Sequence, residues 1–198
     1  MKFFLQLLLL LLARVVITIG ELPAAEHRAL VNLYHSAGGP NWSQREHWLK
    51  GDPCTWHGII CNSDKTHVVE VSLAGNNLNG TLPEDIGALS EVNTLALDIF
   101  NSLHGTIPES IGNMSKLFMF TIAGSAGSGL AGDKFSGAIP DSFCNLQSLF
   151  IFHAGYNRFT SAPKCICDLP SLSNCDLGGN PLHGCPACLN TKCGTTNC

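Results

Sequence analysis

The sequence has few charged residues, and it has no cluster of basic ones. Charged side chains make up 13% of its 198 residues, and the formal net charge is −4. An average soluble protein has about 25% charged residues. Nucleic acid is therefore a poor candidate for a partner, and the acidity is too slight to indicate a basic one. Because 45% of the residues are hydrophobic, the chain can bury a core.

Motifs that carry catalysis or cofactor binding are missing as well. The sequence contains no H-E-x-x-H or G-x-S-x-G motif, and its eight histidines are scattered. No glycine-rich phosphate loop precedes a helix, and nothing selects a pair of carboxylates suited to glycoside hydrolysis. We therefore expect a protein that is not an enzyme, with no catalytic residue, no bound metal and no cofactor.

Long apolar runs are absent beyond the N-terminus. There, Lys2 precedes an apolar segment over residues 3–13, and small residues permit cleavage before Glu21. This pattern predicts a signal peptide over residues 1–20 and a mature protein that is not inserted in a membrane. The alternative is an uncleaved membrane anchor, which would be short for a bilayer and would have Arg14 in its middle.

Ten cysteines agree with a secreted protein, because an even number behind a signal peptide indicates disulfides. Three Asn-x-Ser/Thr tripeptides also predict glycosylation, at Asn41, Asn79 and Asn113. The expected location is extracellular.

A repeated pattern of apolar, asparagine, glycine and proline residues fills most of the chain. In the first copy, Val68, Val71 and Leu73 lead to Asn76, and Gly-Thr-Leu-Pro closes the copy at residues 80–83. The spacing L-x-x-L-x-L-x-x-N-x-L-x-G-x-L-P recurs, with small variations, in four further copies. The five copies begin at Val68, Val92, Leu117, Leu149 and Leu172.

This spacing has a direct structural meaning. Alternating apolar residues such as Val71 and Leu73 predict a short strand with one buried face. The asparagine ends the strand, and its side chain can hydrogen-bond to backbone groups inside the turn. Glycine and proline then turn the chain back. Because one coil cannot bury its own apolar face, the coils are expected to stack, with parallel strands about 4.8 Å apart.

These residues resemble the plant-type leucine-rich-repeat family, whose mark is the G-x-[IL]-P ending. Residues 52–61, DPCTWHGIIC, are similar to the N-terminal cap of that family, residues 26–34 to its cap helix, and Trp42 and Trp48 to its cap core. The resemblance implies an α/β fold, a right-handed leucine-rich-repeat solenoid. It would have a parallel β-sheet on the concave face, a helical N-terminal cap and a disulfide-rich C-terminal cap.

The expected domain boundaries follow from the same resemblance. The signal peptide occupies residues 1–20, the N-terminal cap residues 21–65, the repeats residues 66–184 and the cysteine-rich C-terminal cap residues 185–198. The resemblance also implies extracellular recognition of another molecule.

The cap motif of the family implies a disulfide between Cys54 and Cys61. Register within the repeats predicts another, because alignment of the fourth and fifth copies places Cys144 over Cys167. The remaining six cysteines leave the connectivity open, and they are expected to staple the C-terminal cap.

The pair Cys185 and Cys188 has two sharper alternatives. Its spacing is also that of a zinc knuckle, with Cys193, Cys198 and His183 nearby, or of a thioredoxin-like redox pair. An oxidising compartment favours disulfides over either.

The third copy contains a Gly/Ser-rich insertion between Ile122 and Asp133. Such a composition predicts a flexible loop at the edge of the concave face. A tolerated surface addition and an adaptable rim of a binding site both fit it.

The residues between the buried strand positions point out of the concave face. The strongest binding candidates are Asp98, His153, Tyr156, Asn174 and Asp176. We expect no aromatic cluster on this face. The proposed partner is an extracellular protein or glycan, and a membrane receptor is one candidate.

Two other functions compete with recognition. The repeats could form a structural or surface-associated protein that has no dedicated ligand site. Ice binding would need a flat periodic row of Thr or Asn on the concave strands. The aligned positions there are irregular, with the residues Ser72, Ala96, Thr121, His153 and Asp176.

Overall fold

The computed structural model describes residues 20–124 and 133–195. The predicted signal peptide up to residue 19, most of the Gly/Ser-rich insertion, and Cys198 lie outside the described residues. Within the described ranges, none of the helices is both long enough and apolar enough to span a bilayer.

The described chain forms one long helix, ten short strands and one short helix. The cap helix spans Ala24–Ser36, and the C-terminal helix spans Cys188–Lys192. The strands are β1 Ile59–Cys61, β2 Val68–Ser72, β3 Asn79–Gly80, β4 Thr94–Ala96, β5 Ser102–Gly105, β6 Met119–Thr121, β7 Lys134–Ala138, β8 Ile151–His153, β9 Arg158–Ser161 and β10 Asn174–Asp176. Short 3₁₀ segments span Gly39–Asn41, Pro53–Thr55, Ile86–Ala88, Glu109–Asn113, Asp141–Asn145 and Lys164–Asp168.

The strands build two sheets, one on each side of a turn. The concave sheet has the order β1-β2-β4-β6-β8-β10, in which β1 is antiparallel to β2 and all other pairs are parallel. The side sheet has the order β3-β5-β7-β9 and is parallel throughout. The sequence prediction of a leucine-rich-repeat solenoid with a parallel concave sheet and a helical N-terminal cap is confirmed.

The core follows the repeat pattern. One row of register-paired strand residues crosses the concave sheet, formed by Val71, Leu95, Phe120, Phe152 and Cys175. The first four of these side chains are completely buried. Phenylalanines fill the third and fourth coils, where Phe143 packs against Phe152 with ring centroids 4.8 Å apart. Stacking the coils therefore buries what no single coil could bury alone.

The N-terminal cap covers the first coil with aromatic side chains and one buried carboxylate. Trp42 and Trp48, predicted as cap core, are 3% and 4% exposed, and their ring centroids lie 4.9 Å apart. Glu26 on the cap helix is buried, and its Oε2 accepts a hydrogen bond from the Val68 N–H at 2.8 Å. Its Oε1 contacts Nδ1 of His67. The carboxylate thus joins the cap helix to the start of the first repeat strand.

A ladder of buried asparagines connects the turns of successive coils. Asn101 Oδ1 accepts from the Leu78 N–H at 2.9 Å, and its Nδ2 donates to the carbonyl oxygens of Leu73 and Leu97. Asn157 makes the same kinds of bond two coils further along, and the half-buried Asn180 makes them in the coil after that. Each amide therefore satisfies backbone groups of its own coil and of the preceding one.

Asp133 occupies one rung of this ladder in place of an asparagine. Its Oδ1 accepts from the Leu103 N–H at 2.9 Å, as an amide oxygen would, but its buried Oδ2 has no hydrogen-bond partner. At the equivalent place the neighbouring rungs present an N–H₂ group to carbonyl oxygens. Burial raises the pKa of Asp133 from 3.8 to about 8, the Leu103 hydrogen bond opposes the shift, and the charge of Asp98 adds to it. The neutral acid, which has a proton to donate, suits this rung.

The raised pKa of Asp133 leads to a testable pH dependence. The folded state holds the proton of Asp133 up to about pH 8, whereas the unfolded chain loses it near pH 3.8. The protonated side chain therefore makes its full contribution to the free energy of unfolding below pH 3.8. Its contribution is lost progressively as pH rises between the two values. Asp133→Asn should therefore raise Tm above that of the natural protein by a margin that widens from about pH 4 to about pH 8. Thermal unfolding followed by circular dichroism measures this. Asp141→Asn, at an exposed position, is the control, and a margin independent of pH would contradict the prediction.

The disulfides confirm one predicted pair and correct the other. Cys54 is bonded to Cys61 as expected, with Cα atoms 5.5 Å apart. Cys144 is bonded to Cys165 and not to Cys167, so the predicted pairing was wrong. Cys167 is bonded to Cys188, Cys175 is bonded to Cys193, and Cys185 is also disulfide-bonded. All four cysteines named from the sequence are thus in disulfides, but two have other partners.

The correction has a physical cause, which is a diagonal offset between coils on the convex side. The fourth residue after each proline lies against the second residue after the next proline. A Cβ added to Gly87 would lie 1.9 Å from the Ser110 carbonyl oxygen, and one added to Gly112 would lie 2.5 Å from that of Ser142. In the next coils the same offset brings cysteines together, so the two inter-coil bonds each join residues 21 apart. Equivalent positions, by contrast, recur every 23 residues, as Pro140, Pro163 and Pro186 do.

Candidate functional site

The structure brings together four of the five predicted binding residues at the C-terminal end of the concave sheet. His153 on β8 and Asp176 on β10 are register partners in adjacent strands. Nε2 of His153 lies 2.9 Å from Oδ1 of Asn174, so these two polar side chains form one hydrogen-bonded unit. Tyr156 follows β8 and is 50% exposed.

Asp176 and Tyr156 are held by the backbone around them. Asp176 Oδ1 accepts from the Gly178 N–H at 2.8 Å, which orients the carboxylate toward the turn after β10. Tyr156 has the left-handed φ of 55°, and its ring lies so close to Gly179 that a Cβ there would be 2.6 Å away. The tyrosine ring is therefore seated on a glycine, with half of its surface open to a ligand.

Asp98 does not belong to this group. It follows β4, which β6 separates from β8, so it lies about 10 Å across the sheet from His153 by strand spacing. Its carbonyl oxygen accepts from Asn101 Nδ2 at 3.2 Å and from the Gly75 N–H at 3.1 Å. Asp98 therefore contributes to the second turn and not to the group around His153.

An aromatic pair stands where the sequence predicted none. Phe118 and Phe150, which precede β6 and β8, are 47% and 37% exposed. Their rings stack with centroids 5.0 Å apart and planes 6° apart. The expectation of a face without aromatic cluster was wrong, because these residues precede the strands and do not belong to the alternating strand positions that the repeat pattern turns outward. The available signal was an aromatic residue at one repeat position in two successive copies.

The opposite edge of the concave sheet is also apolar. The second copy has one more residue before Asn101 than the first, and the structure accommodates it with left-handed φ values at Ile99 and Phe100, 56° and 53°. Both side chains are more than half exposed. With Tyr156 they form a second rim, so five of the seven exposed large hydrophobic side chains in the described chain flank the strands of coils two to four.

We call the strip of concave-sheet residues between these two rims the trough. Its floor consists of outward strand residues such as Thr94, Met119, Ile151 and His153, which are half-buried. Thr121, predicted to point into solvent, is only 6% exposed and lies in register between Ala96 and His153. Along the fourth coil the strip runs from Phe150 to Tyr156, which is about 20 Å or less by the rise of an extended chain.

The cysteine-rich end has a structural role in the described chain. Because Cys188 is bonded to Cys167 and Cys193 to Cys175, neither sulfur is a thiolate ligand or half of a Cys185–Cys188 redox pair. No group of three or more His, Cys, Asp or Glu side chains among the described residues is arranged to hold a metal ion. The three predicted glycosylation residues, Asn41, Asn79 and Asn113, are exposed, and their modification stays a prediction.

Known proteins resemble this chain mainly in its repeats. The family model described as Leucine Rich Repeat matches residues 67–89. A probable leucine-rich repeat receptor-like protein kinase of Arabidopsis thaliana is 50% identical over 52 residues, which are 25% of this chain and 5% of that protein. A probable inactive receptor kinase of the same plant is 34% identical over 92 residues, 45% of this chain and 13% of that protein. The matched region is thus a small part of these curated relatives.

Solved structures extend the resemblance to the whole solenoid. The leucine-rich-repeat ectodomain of the receptor kinase SOBIR1 from Arabidopsis thaliana is 24% identical, with a TM-score of 0.65 over 83% of this chain and 84% of that one. A plant ice-binding protein is 19% identical, with a TM-score of 0.68 over 90% and 56%. Both show the fold alone.

A third structure is more similar in sequence but covers less of the chain. The plant peptide hormone receptor RGFR1, solved in complex with RGF2, is 29% identical, with a TM-score of 0.53 over 64% of this chain and 20% of that one. Taken with the repeat pattern, these matches show that the chain has the leucine-rich-repeat fold and that its repeats are similar to those of plant receptor kinases.

The exposed phenylalanines should contribute little to folding. Replacing both Phe118 and Phe150 with serine should lower the free energy of unfolding by no more than about 1–2 kcal/mol, the value of an exposed aromatic pair. Phe120→Ala, in the buried row, should lower it by about 3–5 kcal/mol. Urea unfolding monitored by circular dichroism measures both. A loss as large as that of Phe120→Ala would show that the pair belongs to the core.

Proposed function

We propose that this protein is a secreted, non-catalytic recognition module that binds an extended segment of an extracellular protein in the trough. The observation that carries the proposal is the stacked, exposed pair Phe118 and Phe150 opposite a second apolar rim. Exposed aromatic side chains are costly to leave in water, and contiguous ones mark interaction sites. Aromatic anchors also supply much of the affinity of protein interfaces.

The polar end of the trough would fix the orientation of the partner. The His153–Asn174 pair and the half-exposed Tyr156 offer hydrogen-bonding groups on rigid strands next to the apolar anchors. His153 and Asn174 hold each other, and the Tyr156 ring rests against Gly179, so binding costs little ordering of these side chains. An apolar anchor beside a few fixed polar groups suits a peptide segment better than a glycan, which presents mainly hydroxyl groups.

The absence of catalysis is part of the proposal. On the face that would meet a ligand, Asp176 is engaged by the Gly178 N–H and His153 is engaged by Asn174. Neither is paired with a nucleophile in a way that would activate one. Secretion and a cleaved signal peptide are supported by the disulfides, which persist in oxidising compartments.

The competing function is that of a structural repeat protein without a ligand site. It predicts that changes in the trough have no effect on any association, whereas recognition predicts a specific loss. The two functions are distinguished by comparing the binding of variants changed in the trough with that of variants changed at equally exposed residues elsewhere.

The test has two stages. Proteins from the producer's extracellular fluid are captured on the immobilised chain, and one captured protein is purified and titrated by isothermal calorimetry. Replacing Phe118 and Phe150 with serine should weaken the affinity at least about tenfold, since anchors of this kind contribute about 2 kcal/mol or more. Asn174→Ala should weaken it less.

The matched control replaces two other exposed residues with alanine, Lys50 in the N-terminal cap and Lys164 at the start of a 3₁₀ segment. This variant should bind as the natural protein does. Equal affinity of the phenylalanine variant and the control for every captured protein would contradict recognition through the trough and would favour the structural function.

A further inference from the structure

The outer face of the side sheet carries positive charge in a chain that is acidic overall. Its strands β3, β5, β7 and β9 contain Lys134, Arg158 and His104 but no Asp or Glu. The whole chain has 15 acidic and 11 basic residues. This face therefore differs in sign from the molecule as a whole, which sets it apart from an average surface.

The charged side chains lie together. Because Phe135 and Phe159 point into the core, the alternation of the strands turns Lys134, Ser136 and Arg158 outward. They border a shallow depression of about 650 Å³, which is lined by Asn79, Ser102, His104, Gly105, Lys134, Ser136 and Arg158. Neighbouring parallel strands are about 4.8 Å apart, so groups on β7 and β9 can act on one ligand.

The two strong cations are not neutralised within the described part of the chain. The four ion pairs found there all involve the N-terminal cap, as Lys65 with Asp52 does, and none includes Lys134 or Arg158. Asp133 precedes Lys134 but is buried, and burial raises its pKa to about 8, so it adds no negative charge near pH 7. The acidic residues that follow β5 and β7 in the chain, Glu109 and Asp141, begin 3₁₀ segments and do not belong to the strands of this face.

The remaining groups on this face indicate the class of ligand. They are hydroxyl, amide and imidazole groups, and none of the exposed large hydrophobic side chains of the described residues lies on these strands. Protein interfaces need apolar anchors at their centre, and this face has none. Hydroxyl and amide groups around separate cations instead match a sugar chain that carries carboxylate groups.

We propose that the outer face of the side sheet binds an acidic polysaccharide. Lys134 and Arg158 contact the carboxylates of successive sugar units, while Ser102, His104 and Ser136 form hydrogen bonds with the sugar hydroxyls. This site lies on a different sheet from the trough, so it does not depend on the proposed recognition of a protein.

The predicted glycosylation residue Asn79 lines the same depression. A glycan attached there would cover the face, so occupancy of Asn79 would control access to it. The test is therefore made with Asn79→Gln as the parent protein, secreted from a glycosylating host.

Binding is measured at low ionic strength by microscale thermophoresis with a linear polyuronate. The same polymer with its carboxyl groups methyl-esterified tests the need for charge, and poly-glutamate of matched length tests the need for sugar. Replacing Lys134 and Arg158 with alanine should weaken binding of the polyuronate about tenfold or more, given up to about fivefold for each exposed ionic contact. Added salt should weaken binding by the parent.

The control variant again replaces Lys50 and Lys164 with alanine, which changes the net charge by the same amount. The proposal predicts near-parental binding by this control and by the variant with serine at Phe118 and Phe150. If both charge-removing variants lost the same affinity for the polyuronate, the loss would come from net charge alone, and this result would overturn the proposal. Equally tight binding of poly-glutamate would overturn the glycan assignment, and absence of polyuronate binding by the parent would overturn the site.

Discussion

The stacking of coils depends on the polar side chain that ends each repeat strand of the concave sheet, an asparagine amide in every coil except the third, which has Asp133. The turn after a strand leaves backbone N–H and carbonyl groups inside the solenoid, out of reach of water, and such groups are costly when unpaired. Asn101 bonds with one coil behind it and with its own, and Asn157 and Asn180 repeat the arrangement. The distance between coils, and with it the parallel register of the concave sheet, follows from these bonds.

Much of the fold could be predicted from the sequence because the repeat spacing reports directly on burial. Val71, Leu95, Phe120 and Phe152 occupy one position in successive copies of the pattern, and they are register partners in the sheet. The pairing of Cys144 could not be obtained the same way. Alignment identifies equivalent positions, whereas the contact between coils on the convex side joins residues 21 apart, two fewer than the repeat. That offset is a property of the packed coils.

The candidate site was less predictable for a related reason. The sequence identifies which strand residues point outward, and it led to the neighbouring pair His153 and Asn174. It does not report the solvent exposure of a residue that precedes a strand. Phe118 and Phe150 were therefore missed, although their stacked rings are exposed. The two faces that result differ in chemistry. The trough is apolar at both rims, and the side sheet is cationic and hydrophilic, so one short solenoid offers separate surfaces to different kinds of molecule.

The inter-coil disulfides have a consequence for the maturation of the chain. The cysteine nearest in sequence to Cys165 is Cys167, and the one nearest to Cys188 is Cys185, yet the bonds reach across to the adjacent coil. The correct sulfurs therefore meet only after the coils have assembled on the N-terminal cap, which leaves the ribosome first. The solenoid serves as the template for its own oxidation. If oxidation ran ahead of assembly, it would trap neighbouring thiols, and thiol exchange would be needed to release them.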